Sequence, residues 1–177
     1  MWGNYCERFH QVLEKKEEPL YLRIEVTDAF SFDVFLELRW STSRNIPVLY
    51  HSTYGRRQIR HFEWQEYART KKDTGRDMST EEIMDAMPLW HFLRFQYIDK
   101  DVFATVKNAF EKAEGIDYTK PWSPSRDGGQ VDLYSYIGKG AQFHYAFYLP
   151  QEYAYVTEAV SLLAEYLPLT DREHLQI

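Results

Sequence analysis

The stretch LYLRIEVTDAFSFDVFLELRW, Leu20 to Trp40, decides the fold class. Leu20, Leu22, Ile24 and Val26 alternate with Tyr21, Arg23 and Glu25. Phe30, Phe32, Val34, Leu36, Leu38 and Trp40 then share one face of a second run. Period two marks half-buried strands, and Asp28 between the runs marks the turn of a hairpin. STSRN reads as another turn and IPVLYHST as a third strand, with a short fourth at QIRHF after Gly55.

Helices flank this unit. Trp2, Cys6, Phe9 and Leu13 fall at helical spacing, so residues 2–17 read as an amphipathic helix ended before Pro19. Helical character resumes from Glu63 and gives way to the polar loop TKKDTGRDM. Ser79 and Glu82 make a capping box for a short helix ending near Pro88. LWHFLRFQYI reads as helix rather than strand. DKDVFATVKNAFEKAEG is a helix with Val102, Val106, Ala109, Phe110 and Ala113 on one side and Gly115 as its C′ residue. After the loop IDYTKPWSPSRDGG, the runs VDLYSYI and AQFHYAFYL flank GKG as a second hairpin. A final helix starts at Pro150, carries Val156, Val160, Leu163 and Leu167, and ends at Pro168. Hairpins rather than alternating strands and helices predict one α+β domain over 1–177. Its antiparallel sheet is expected to have about five or six strands, with helices mainly on one face.

A chain of 177 residues buries about 70% of its unfolded surface, and a 44% hydrophobic content supplies the core. Aromatics make up 17%, led by 14 Tyr, and they suit cores and contact surfaces alike. The single cysteine, Cys6, excludes an internal disulfide and fits a reducing compartment. MWGNYCERFHQVLEKKEEP does not read as a signal peptide, and no apolar run reaches about 18 residues. The expectation is a cytoplasmic protein without membrane association.

No catalytic motif survives inspection. The histidines, His10, His51, His61, His91, His144 and His174, form no metal-ligand spacing, and no Cys pair exists. No metal site and no cofactor are expected. Cys6 and His10 stand four residues apart on the first helix, but Cys6 lies on the apolar stripe and reads as a small buried hydrophobe. Nucleophile elbows and phosphate loops are missing too. The amides of GKG, Gly138 to Gly140, could hold an anion, though a hairpin turn accounts for both glycines. An enzyme would need dispersed groups, such as His51, His61, His91 or His144 beside an acid in a cleft.

Charge is unevenly spread. From Tyr54 to Arg76 there are seven Lys/Arg against three acids, in a chain of net charge −6. The remainder holds 14 Lys/Arg against 24 Asp/Glu, which favours basic partners at long range and repels phosphate backbones. Arg56, Arg57 and Arg60 lie near Tyr54, Trp64 and Tyr67, residue types that protein hot spots and nucleic-acid contacts both use. The acidic remainder weighs against nucleic acid. The basic segment instead fits an acidic protein patch, including that of a second copy, with local pairing to Glu63 and Glu66 as the uneventful version.

These features lead to a function class rather than a reaction: an acidic binding protein recognising another, basic protein, as an inhibitor or immunity-type partner of a toxin or enzyme. Toxic nucleases are commonly basic because their substrate is polyanionic. Acidic contacts are expected among Glu81, Glu82, Asp85, Asp117, Asp127 and Asp132, with Tyr118 and Trp122 of the long loop as anchors. The alternative is a nucleic-acid-binding regulatory or phage-type module gripping through Arg56, Arg57 and Arg60.

Overall fold

A computed structural model describes residues 2–27, 34–52, 56–79, 82–83, 86, 92–120, 130–146 and 148–168, the side chains of 2–4 and 56–60 excepted. Helix α1 (Trp2–Glu14) leads into β1 (Leu20–Thr27), β2 (Val34–Ser41) and β3 (Ile46–Ser52). Helix α2 (Arg56–Thr74), β4 (Arg94–Tyr97), α3 (Lys100–Lys112) and β5 (Asp117–Thr119) follow. Strands β6 (Gln130–Ser135) and β7 (Ala141–Ala146), a 3-10 turn (Gln151–Tyr153) and α4 (Ala154–Ala164) complete the order.

The seven strands among the described residues form one sheet in the order β4-β3-β2-β1-β6-β7-β5. The architecture is α+β. Every pairing is antiparallel except β5 on β7, so the sheet is mixed and has seven strands rather than five or six. The register sorts side chains onto two faces. Leu22, Ile24 and Val26 of β1 oppose Leu38, Leu36 and Val34 on one side, and Ile24 and Val26 oppose Leu133 and Val131 on the other. That face packs against Val106 and Phe110 of α3 and Val156, Val160 and Leu163 of α4 in the larger core. The opposite face also carries a helix: Tyr5, Cys6, Phe9 and Leu13 of α1 form a second core with Phe35, Val48 and Tyr50. Helices therefore lie on both faces. An apolar stripe on α1 needs a surface to bury, and Phe35 of β2 with Val48 and Tyr50 of β3 provides it. Cys6 is buried there, as a small hydrophobe should be.

Three expected elements differ. QIRHF is not a strand but part of α2, since Arg, Gln, Glu and Ala through this stretch are good helix formers. Within LWHFLRFQYI, Arg94–Tyr97 is a strand rather than helix, because Tyr50 and Leu49 of β3 pair with Phe95 and Gln96. The loop after Gly115 begins with β5, fixed by the pairing of Tyr118 with Phe143. The Asp28 turn, Phe30, Phe32 and Tyr54 lie outside the described residues. The Ser79–Glu82 capping box is present: Glu82 N–H donates to Ser79 Oγ at 3.2 Å, and Ser79 N–H to Glu82 Oε2 at 2.8 Å.

Candidate functional site

The α1 side of the sheet divides into two halves. Over Phe35 of β2 and Val48 and Tyr50 of β3 it is apolar and covered. Over β1, β6 and β7 it is polar and only partly shielded, because Arg23, Glu25, Asp132, Tyr134, Gln142 and His144 all point to that face. A buried charge cluster marks the boundary. Glu37 and Arg39 of β2 are 0% and 1% exposed. Glu37 Oε2 accepts Arg39 Nε at 2.6 Å, and its Oε1 lies 2.6 Å from His10 Nδ1. Arg39 spends its remaining donors on the end of α1, giving 2.8 Å bonds to the Glu18 carbonyl and to Glu14 Oε1. A guanidinium suits this place because the helix C-terminus is electronegative. The bond from Arg39 holds the Glu14 carboxyl below its ordinary range, against a smaller opposing effect of burial. Tyr50 OH donates to Glu18 Oε2 at 2.7 Å, and burial first, then that carboxylate, push the phenol up.

Above this cluster is a groove of about 520 Å³, lined by His10, Glu14, Glu17, Glu18, Leu20 and Tyr136. His10 Nε2 is 3.8 Å from Glu14 Oε1, while Nδ1 is taken by Glu37. Tyr136, 50% exposed, forms the rim, and burial of its remaining surface raises its phenol. The groove thus combines three carboxylates, one oriented imidazole and one exposed ring.

A second pair lies on β6 and β7. His144 Nδ1 is 2.6 Å from Asp132 Oδ1, which also accepts Gln130 Nε2 at 2.9 Å. Asp132 opposes Glu25 in register, and Arg23 neutralises Glu25 through a 2.6 Å bond from Nε. Beyond it, Asp117, Tyr134, Tyr136, Lys139 and Gln142 border a further groove of about 490 Å³ at the hairpin. The glycine turn there is already occupied, since the Lys139 amide donates to Glu114 Oε1 at 2.8 Å. An internal carboxylate takes the anion position.

Residues singled out from the sequence scatter. Arg56, Arg57 and Arg60 stand in the first turns of α2, and their side chains are outside the described set, as are Glu81, Asp85, Trp122 and Asp127. Trp64 is 65% exposed on α2. Tyr67 donates to Asp77 at 2.6 Å, and Lys71, Arg69 and Arg76 pair locally with Asp77, Glu66 and Glu82. Glu82 is thereby committed to its own turn. Tyr118 lies on β5 rather than in a loop, half-buried, with its ring packed on Phe143 and Tyr153 beside the larger core. Asp117 and Asp132 do face the polar half.

Glu37, Arg39 and Tyr136 do not stand out in the sequence, and His10 does so only as one of six histidines and as a neighbour of Cys6. The available signal was charge inside the strand LELRW together with the nearby acidic run at the end of α1. Among the described residues no group of three or more His, Cys, Asp or Glu is arranged to hold a metal ion. None of the described helices is long and apolar enough to cross a membrane. No protein-family model, curated protein or solved structure matches this chain.

Proposed function

We propose that this protein binds a basic surface of another protein, as an inhibitor or immunity-type partner of a toxin or enzyme. One observation supports this reading above the others: the groove at the end of α1 is lined by Glu14, Glu17 and Glu18 and rimmed by exposed Tyr136, with buried Arg39 bonded to two of these lining residues. Arg39 fixes the Glu14 carboxylate and the Glu18 main chain before any partner arrives. Groups ordered in advance lose little conformational freedom on binding. A lysine or arginine of the partner would set its charge among the carboxylates and its stem on the Tyr136 ring. The acidic balance outside residues 54–76 would speed the encounter.

His10 favours a second reading, an enzyme with dispersed groups. A carboxylate on Nδ1 and a groove at Nε2 is the arrangement of an oriented general base. Three flanking carboxylates suit a cationic ligand in either case.

The test is affinity capture from source lysate on wild-type protein and on the variant Glu17→Lys/Tyr136→Ala. The expected result is one basic protein held stoichiometrically by wild type and at least about tenfold more weakly by the variant. Recovery of nucleic acid alone, of no stoichiometric protein, or of the same protein equally by both would overturn the reading. His10→Gln should leave capture intact if His10 has no chemical role in the groove.

A further inference from the structure

The sheet ends at β4, and among the described residues nothing pairs with the outer margin of Phe95 to Tyr97. Ile98 donates its amide to the Pro47 carbonyl at 3.1 Å, so residues 98 and 47 form a hydrogen-bonded pair. Antiparallel ladders alternate, and Gln96 and Arg94 therefore also direct their main-chain groups at β3. The amides and carbonyls of Phe95 and Tyr97 point away from the sheet. Among the described residues nothing bonds them.

Their side chains are open as well. Phe95 is 55% exposed and Tyr97 37%, on the same face. Both are nevertheless well seated: the Phe95 ring lies 5.9 Å from that of Tyr50 and 5.7 Å from that of Tyr97, and Arg44 stacks over Tyr97 at 5.1 Å. On the opposite face Gln96 donates to the Tyr166 carbonyl, and Ile98 is buried. The strand is held in one register with an outer edge that no described residue pairs, which is a template for strand addition.

We propose that β4 pairs antiparallel with β4 of a second copy, about a two-fold axis through Gln96. The inference is independent of the groove at the end of α1. In this register Phe95 opposes Tyr97 of the second copy, and each opposed pair exchanges both of its hydrogen bonds, so every outward main-chain group finds a partner. The opposed rings fall on one face, with Cβ atoms about 5 Å apart, and continue the Tyr50–Phe95–Tyr97 ladder. At each end Arg94 falls opposite Ile98 of the second copy and near the Asp99 carboxylate, whose Oδ2 also accepts the Tyr166 hydroxyl at 2.8 Å. Both charged residues are exposed, and opposite signs meet twice by symmetry. A strand of unrelated sequence would gain the main-chain bonds only. The added ring pairs and charge pairs select a second copy as the occupant. Four residues make a small contact by the standards of stable dimers, so the association is reversible and follows concentration.

Light scattering and sedimentation of the whole protein across concentration provide the test. Wild type should move from 21.2 kDa toward twice that mass as concentration rises. Amide exchange at Phe95 and Tyr97 should slow in parallel, while the Gln96 amide, bonded within one copy, should not change. Phe95→Pro removes an outward amide without touching the β3 ladder and should abolish the dimer. Arg94→Asp should weaken it at least about tenfold, and adding Asp99→Arg in the same chain should restore it. A mass fixed at 21.2 kDa throughout, or a dimer whose Phe95 and Tyr97 amides ignore dilution, would overturn the proposal. Failure of the charge swap to restore association would overturn the two-fold register.

Discussion

Glu37 and Arg39 lie two residues apart on β2, both buried, with their side chains joined at 2.6 Å. Removing two charges from water is unfavourable, and the pair is tolerable only because His10, Glu14 and the Glu18 carbonyl satisfy what the pair leaves over. Truncating one member strands the other. Glu37→Ala should destabilise the protein by about 3–5 kcal/mol, whereas Glu37→Leu/Arg39→Met should cost far less. Urea unfolding of the three proteins decides between these outcomes. Equal losses in the single and double variants would show that the cluster does not act as a pair.

The same cluster sets an acid limb. Glu14 ionises below its ordinary value of 4.5, first because of its bond from Arg39. A depressed carboxyl contributes stability that is present above the unfolded value and lost as pH falls through the folded one. Stability should therefore decline below about pH 4.5, and Glu14→Gln should flatten part of that decline. Because Glu14 is largely exposed, the effect is modest. Unfolding midpoints measured from neutral pH downward would show it.

At the alkaline end the buried phenols act in the other direction. Burial alone pushes Tyr145 up to about 12, and burial followed by Glu63 and Glu18 raises Tyr5 and Tyr50. A raised acid contributes stability that is full below its unfolded value and lost as pH rises toward the folded one. Unfolding is expected between about pH 10 and 12, with phenolate absorbance and circular dichroism changing together. Tyr145→Phe should move that loss upward. Phenolate formation well before any loss of structure would contradict this account.

Two glycines separate conformational strain from collision. Gly115 and Gly140 both have left-handed backbones, φ 80° and 81°. A Cβ at Gly115 meets nothing within 4 Å, but one at Gly140 would lie 2.9 Å from the Ser135 carbonyl oxygen. Gly115→Ala should cost about 1 kcal/mol, the left-handed penalty alone. Gly140→Ala should cost more, since the hairpin must also shift. Thermal unfolding of both variants gives the comparison, and equal losses would count against it.

The hairpins and the stripes of α1, α3 and α4 were legible because period two and period 3.6 survive in short windows. β4 was not: four residues carry no period that separates strand from helix, and its state is set by β3 more than forty residues earlier. The α2 helix was obscured for a different reason. Its surface is charged on most sides, so it reads as composition rather than as a stripe. The groove was hidden by the alternation rule itself. In LELRW, Glu37 and Arg39 occupy what period two treats as the solvent side, yet α1 covers that side. The clue was the stripe of Cys6, Phe9 and Leu13, which needed an apolar surface and had one in Phe35, Val48 and Tyr50.

The position of β1 between β2 and β6 also has a kinetic consequence. Leu22 to Thr27 pair with residues 130–135, more than a hundred positions later, while β1 to β3 pair with near neighbours. During synthesis the first three strands can zip together long before β6 leaves the ribosome. Until then one margin of β1, rich in Leu, Ile and Val, has no partner. Such an interval favours slow closure and misassociation between nascent chains. The charges of Arg23 and Glu25, alternating along that margin, guard the strand while it waits.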